Sequence, residues 1–297
     1  MRGLGGWMSQ LGTLGRPKGV TVPAYLAARA QGRSEVEKRF HRELLQRNGV
    51  YRTTAEHRMD DLFPALLEAA RAIDRRPLRV LDVACSMGTA TVEMHRALAV
   101  GGLACETAGT DLAIDARYVA GPDGCGVLFD ADGQVLQVDV GRWATPWRFR
   151  RGDRVLRPGL VARARALTGM AGAPFRAALA GGAPGYTVST VPLLRAETDG
   201  VPGLRFAQES ILEPRLAGSF DVVRAANILN GDYFPPERLR QMVELLRGRL
   251  AEGGVLVVAR NLAGESFTRA TLFRHRRGAL VPEASLNGGS EVAALLG

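Results

Sequence analysis

Lysine, cysteine, histidine and aromatic residues are all scarce in this chain of 297 residues. The three cysteines, Cys85, Cys105 and Cys125, form no CxxC pair and have no histidine within a few positions. Neither a zinc site nor a disulfide framework is therefore expected. His41, His57, His95 and His275 are too few and too scattered for a His-rich metal site, so no bound metal is expected. No apolar run approaches the ~20 residues that a membrane-spanning helix needs. Met1 to Pro17 carry glycines and polar residues where a secretory signal requires an apolar stretch. A cytoplasmic protein with no transmembrane segment is the expectation.

What remains has an ordinary globular balance, 46% hydrophobic and 23% charged. The length fits one large domain, or one domain with a sizeable insertion. Net charge is +9, and all but two of the 39 basic residues, Lys18 and Lys38, are arginine. That skew, beside abundant alanine and glycine, is what a GC-rich genome produces. The bases are spread along the chain, with short runs at 148–151 and 274–277. A scattered, solvated face is expected ahead of a nucleic-acid surface.

Apolar spacing predicts a helix from Pro23 to Arg47, stopped by Asn48 and Gly49, and a second from Thr54 to Ile73. A short apolar run over Arg79–Cys85 then reads as a strand, followed by a helix over Thr89–Leu98. Further strands are read at Glu106–Leu112, Leu204–Ser210, Ser219–Asn227 and Val255–Ala259. A long amphipathic helix opens at Pro235 and runs to Leu250, with Gly253 and Gly254 closing it. Strands alternating with helices give an α/β, doubly wound, mostly parallel sheet. Thr268–His275 and Ala279–Ser285 suit an antiparallel C-terminal edge hairpin around Arg277 and Gly278, with a last short helix near Ser290–Leu296.

Between the second and third parallel strands lie about ninety residues, far more than a crossover helix uses. Gly126–Asp139 reads as a hairpin turning at Asp130–Gly133, Trp143–Leu156 as two more strands, and Leu160–Leu179 as helix broken near Pro174. The expected division is 1–74 as a mobile N-terminal segment and helical lid, 75–119 with 204–297 as a Rossmann-like domain, and 120–203 as an inserted β-hairpin and helical cap near the ligand crevice.

The chemistry-bearing stretch is Asp82-Val-Ala-Cys-Ser-Met-Gly88, a strand, a tight small-residue turn and a helix start. Small side chains let a ligand approach the backbone, and the helix presents free N–H groups. Asp82 is expected to point toward that crevice. Asp111, ending the second strand, is placed to take both hydroxyls of a ribose. Val80–Gly88 resembles the first motif of class I S-adenosylmethionine-dependent methyltransferases, usually Leu-Asp-x-Gly-x-Gly-x-Gly, although Ala84 and Ser86 stand where two glycines are usual. Asp111 matches that family's ribose-binding acid. Gln208–Ile211 resembles its strand-three motif, where an acid or its neighbour meets the adenine amine, Phe220–Asn227 resembles its fourth strand, and Leu245–Val258 resembles the following helix, Gly-Gly turn and fifth strand. The likeness covers roughly 75–112 and 204–285.

The resemblance implies S-adenosylmethionine as cofactor, S-adenosylhomocysteine as product, and Asp82, Ala84, Cys85, Ser86, Gly88, Asp111, Leu112, Glu209, Ser210, Ile211 and Asn227 as donor-binding residues. Arg58 suits the methionine carboxylate, beside Tyr51, Arg52 and His57. A dinucleotide site would want all three glycines over its pyrophosphate. Catalytic groups are sought after the fourth strand, at Asn227, Asp232 and Tyr233. There Asp232 reads either as a base or, with the greater weight, as a helix N-cap beside its neighbours. Trp143 and Trp147 suit either an acceptor pocket or hairpin packing. The expected acceptor is small or lipid-like, enclosed between the sheet, the N-terminal helices and the cap. A nucleic-acid methyltransferase and a non-catalytic binding module are the rival readings.

Overall fold

The computed structural model describes residues 19–45, 55–146, 158–169, 172–262 and 264–295. The chain forms two compact units: unit 1 is Met1–Thr53 with Asp115–Val191, and unit 2 is Thr54–Ile114 with Pro192–Gly297. Elements are numbered in chain order across both.

Unit 2 is built on a seven-stranded sheet. Its strands are β1 (Leu78–Val83), β2 (Cys105–Asp111), β8 (Leu204–Gln208), β9 (Phe220–Ala226), β10 (Leu250–Arg260), β11 (Arg269–Arg276) and β12 (Ala279–Leu286), in the order β12-β11-β10-β9-β1-β2-β8. The five strands from β8 to β10 are parallel, and β11 and β12 add an antiparallel hairpin at one edge. Counted along the chain, the parallel strands lie 3-2-1-4-5, so the winding reverses between β1 and β9. Ligands of open α/β sheets settle at the carboxyl ends of the strands at such a reversal.

Both faces of this sheet are covered, which is why its central strands are near-continuous apolar runs. On one face α3 (Phe63–Arg71) and α4 (Thr89–Val100) bring Leu66, Met94 and Leu98 against Val80, Val222 and Val257. On the other α7 (Pro236–Arg247) sets Leu239, Met242, Val243 and Leu246 against Leu81, Val223 and Leu256. The expected end of α7 is corrected: the helix stops at Arg247, and Gly253 and Gly254 lie inside β10, where its pairing with β9 shifts register. Gly253 has φ +77, and a Cβ on Gly254 would meet the Ala251 carbonyl oxygen at 2.9 Å, so this irregularity requires glycine. The last predicted helix is a single 3-10 turn, Glu291–Leu295.

Unit 1 holds a five-stranded antiparallel sheet, ordered β6-β5-β4-β3-β7. The strands are β3 (Asp115–Ala120), β4 (Cys125–Phe129), β5 (Val135–Val140), β6 (Trp143–Pro146) and β7 (Thr187–Pro192). Helices α5 (Pro158–Thr168) and α6 (Ala173–Leu179) bury Ala164, Leu167, Phe175 and Ala178 against Val119, Val127, Phe129 and Val138. The β4–β5 hairpin falls where Gly126–Asp139 places it; residues 147–157, with Trp147, lie outside the described residues. The single predicted helix over 23–47 is instead two, α1 (Val22–Ala30) and α2 (Ser34–Glu43), broken at Gly32 with φ +66. Tyr25 and Phe40 stack between them at 4.0 Å. In these contacts α1 and α2 group with β3–β7, whereas Leu62 and Leu66 of the next segment pack into the core of unit 2. The chain therefore divides near residue 54, inside the stretch read as one N-terminal segment. Tyr51 and Arg52 lie outside the described residues.

Candidate functional site

The turn after β1 follows an unusual backbone path. Ala84, Ser86 and Gly88 have φ of +58, +57 and +82. For the two residues with a Cβ this left-handed geometry costs about 1–2 kcal/mol each. Asn227, at the carboxyl end of the adjacent β9, has φ +61. Strain of this kind gathers where a backbone is shaped for a ligand rather than for its own stability. The path that glycines would take is thus kept at the two positions where glycine is missing.

Asp111 locks this turn to β2. The Ser86 N–H donates to its Oδ2 at 2.8 Å and the Ala113 N–H to its Oδ1 at 3.1 Å, while the Cys85 N–H donates to the Thr110 carbonyl at 2.9 Å. Two backbone donors orient the carboxylate. Leu112 beside it is 69% exposed. The Glu209 N–H donates to the Asp111 carbonyl at 2.9 Å, which brings Ser210 and Ile211 next to the same strand end. Gly88 caps α4 with no side-chain hydrogen bond to the first turn.

Gly88 is committed to packing. A Cβ there would meet Thr198 Cγ2 at 2.6 Å and the Phe206 ring at 3.1 Å. The segment carrying Thr198 runs over the turn: the Arg195 N–H donates to the Met87 carbonyl at 3.0 Å, and buried Arg195 pairs with Glu56 at 2.7 Å. Glu93 on α4 accepts the His57 N–H at 2.8 Å, and burial pushes its carboxyl above the ordinary range. Neither Arg195 nor Thr198 was visible as a site residue, because nothing in an exposed-looking loop sequence announces what it packs on.

Two expected donor-binding acids are placed differently. Asp82 does not face the crevice: both its oxygens are taken by Arg224, at 2.8 and 2.7 Å, and Thr91 donates to one of them at 2.5 Å. Both members of the pair are almost fully buried, and a buried carboxylate needs such a partner. Nη1 of Arg224 finds no hydrogen-bond partner among the described residues. Glu209 is likewise drawn inward, to Arg249 at 2.5 Å and to the Arg215 and Leu216 N–H groups. Ser210 accepts the Leu212 N–H and Ile211 packs on the core.

Beyond β9, the Asn227 side chain accepts the Asn261 N–H at 2.8 Å, and Asn261 in turn donates to the Arg58 carbonyl at 3.3 Å. Arg58 is half-buried, its guanidinium donates to the Asn261 carbonyl at 3.3 Å, and burial lowers its pKa. Asp232 is exposed and held by Arg260 at 2.5 Å, and Tyr233 is 51% exposed. The N-cap expectation for Asp232 fails: α7 is capped by Pro235 with no side-chain bond. Among the described residues no group of acids, histidines and cysteines is placed to hold a metal. None of their helices is long and apolar enough to cross a membrane.

A cavity of about 330 Å³ opens elsewhere, at the amino ends of β1, β2, β8 and β9, lined by Arg79, Glu106, Arg205 and Ser219 among others. It lies where the β8–β9 connection runs without a helix, and none of the residues singled out above lines it.

No protein-family model and no curated protein matches this chain. Among solved structures it is similar to S-adenosylmethionine-bound CalS10, an amino pentose methyltransferase from Micromonospora echinaspora, at 17% identity over 73% of this chain and 63% of that one, with a TM-score of 0.32. It is similar to the N-methyltransferase NodS from Bradyrhizobium japonicum WM9 at 13% identity over 67% and 66%, TM-score 0.32. The magnesium protoporphyrin IX methyltransferase ChlM from Synechocystis PCC 6803 gives 13% identity over 73% and 62%, TM-score 0.29. The match spans less than two thirds of each of these proteins.

Proposed function

We propose that unit 2 binds S-adenosylmethionine across the carboxyl ends of β1, β2 and β9 and supplies its methyl group to an acceptor. The observation that carries this reading is the meeting of three features at the reversal of the sheet: the left-handed residues Ala84 and Ser86, the left-handed Asn227 on the neighbouring strand, and the oriented carboxylate of Asp111.

In this reading Asp111 takes the ribose hydroxyls, and the backbone of Ala84, Cys85, Ser86 and Gly88 lies along the nucleoside. Leu112, Ser210 and Ile211 flank the adenine. Asn227 and Arg58 meet the amino-acid end, Arg58 through its charge. Asp82 and Glu209 act at one remove, holding β1 against β9 and the loop after β8 in place. S-adenosylmethionine held there would supply an electrophilic methyl carbon for the acceptor's lone pair, leaving S-adenosylhomocysteine. The protein contributes alignment and exclusion of water. Where the acceptor must lose a proton, Asp232, exposed and paired with Arg260, is the candidate base after β9, with Tyr233 beside it. A small or lipid-like molecule is the acceptor class proposed, and the cytoplasm the compartment.

Calorimetry of the full chain with S-adenosylmethionine and S-adenosylhomocysteine tests the donor site. Saturable heat is expected, with affinity at least tenfold weaker in Asp111→Ala; no heat at millimolar ligand overturns the reading. Formation of S-adenosylhomocysteine in the presence of candidate acceptors separates an enzyme from a binding module.

A further inference from the structure

The apolar run of β10 gives way to Asn261, whose amide lies beside the left-handed Asn227 that follows β9. Every polar group of Asn261 is engaged. Its N–H donates to Asn227 Oδ1 at 2.8 Å, and its own Oδ1 accepts from Asn227 Nδ2 at 3.4 Å. Its Nδ2 donates to Thr268 Oγ1 at 2.9 Å and to the Arg58 carbonyl at 3.3 Å. Its carbonyl accepts from the Arg58 guanidinium at 3.3 Å. One residue thus joins the carboxyl ends of β9 and β10 to the segment that leads into α3.

The joint is braced from behind. Thr268, fully buried, adds a bond of its own to the Arg58 carbonyl at 3.2 Å, and its N–H donates to Asp61 Oδ2 at 2.7 Å. Asn287, just past β12, donates to the same oxygen at 3.3 Å and to the Thr268 carbonyl at 2.8 Å. Leu62, next to Asp61, is buried in the core of unit 2. Two consequences follow for the crevice. A left-handed residue persists where its surroundings over-determine it, and Asn227 is gripped through both ends of its amide. An arginine whose backbone is pinned has less freedom to lose on binding. The Arg58 guanidinium is half-buried, with no acid paired to it among the described residues, and a partly desolvated cation calls for an anion.

We infer that Asn261 is a positioning residue that builds the amino-acid half of the donor site, and so sets the preference for S-adenosylmethionine over nucleosides that lack its methionine part. The inference rests on the donor-binding reading of unit 2. The nucleoside half is held by other partners: the Ser86 and Ala113 N–H groups orient Asp111, and the Thr110 carbonyl holds the Cys85 N–H. The amino-acid half consists of Asn227 and Arg58, and Asn261 bonds to both. A guanidinium that grips a carboxylate through two parallel bonds tolerates little displacement, so a loosened Arg58 gives up much of that grip. Asn261 acts through these two neighbours, without contact of its own to the donor.

Calorimetry of the full chain with two ligands tests it. One is S-adenosylhomocysteine; the other is methylthioadenosine, the same thioether nucleoside with a methyl group in place of the amino-acid chain. The wild-type protein should bind S-adenosylhomocysteine the more tightly. Asn261→Ala should weaken S-adenosylhomocysteine by about tenfold or more and methylthioadenosine by less than about twofold. In an Arg58→Ala background the same change should cost much less, because residues that act as a unit are not additive. If Asn261→Ala fails to fold, Thr268→Val, of similar shape but without the hydroxyl, should show the same split at about threefold. Equal loss of both ligands, loss of neither, or a wild-type protein indifferent between them overturns the inference and leaves the donor reading standing. A wild-type protein that binds neither ligand overturns the donor reading itself, and the inference with it.

Discussion

Asp82 on β1 and Arg224 on β9 sit directly opposite one another in register, and the guanidinium closes on the carboxylate through Nε and Nη2 at 2.8 and 2.7 Å. The pair bridges the two strands at which the sheet reverses, one turn of chain below the candidate donor site. Removing one partner leaves a charge stranded in the core, at a cost of about 3–5 kcal/mol. Arg224→Met and Asp82→Asn should each lower stability by that order in urea titrations without ligand. Combining Asp82→Leu with Arg224→Met should recover most of the loss, because an apolar pair of similar volume needs no compensation. If the double variant is as unstable as the sum of the singles, the pair is not the reason for the loss.

Ala84 and Ser86 should be improved by glycine. Each holds a left-handed φ that a Cβ disfavours, and relieving it outweighs the greater freedom glycine gives the unfolded chain. Ala84→Gly and Ser86→Gly are expected to stabilise by roughly 0.5–1 kcal/mol each. A lower melting temperature in both would show that these side chains hold the turn in some other way.

Glu209 separates the two accounts of the strand-three acid. Its oxygens are committed to Arg249 and to the Arg215 and Leu216 N–H groups. Glu209→Gln should therefore destabilise the fold by about 3–5 kcal/mol and change donor affinity less than threefold in calorimetry on the folded protein. A large loss of affinity with stability intact would return Glu209 to the ligand.

Asp139 ties α1 to β5. It accepts the Val22 N–H at 2.8 Å and Gln137 Nε2 at 2.9 Å, and burial pushes its carboxyl up from 3.8 to about 6. The folded state therefore holds this proton more tightly than the unfolded state does. Its contribution to stability is full below about pH 4 and is lost as pH rises through about 6, an upper bound of about 3 kcal/mol. The difference in stability between the wild-type protein and Asp139→Asn should change across that window and be flat above it. A difference independent of pH from 4 to 7 would refute this.

Much of the sheet was legible because its strands and helices bury apolar residues at distinct periods. β1, β2, β8, β9, the β11–β12 hairpin and the β4–β5 hairpin all fall within a few residues of their expected places. β3 and β7 were missed. In β7 the run Thr187–Pro192 is half-exposed and rich in Thr and Ser, so it carries little alternation to detect. The helix over 23–47 was read as one because Gly32 interrupts the apolar spacing for only a turn.

The site divides in the same way. The turn at 84–88 and Asp111 could be placed from sequence because a small-residue turn between a strand and a helix, and an acid ending the next strand, are local patterns. The fates of Asp82 and Glu209 could not, since their partners lie 142 and 40 residues away and an ion pair leaves no periodicity in either segment. The sequence by itself determined the alternation of elements, the shape of the turn and the excess of arginine, all of which depend on near neighbours. Only the tertiary structure decided which acids are buried against arginine, because desolvation depends on what the folded chain brings together.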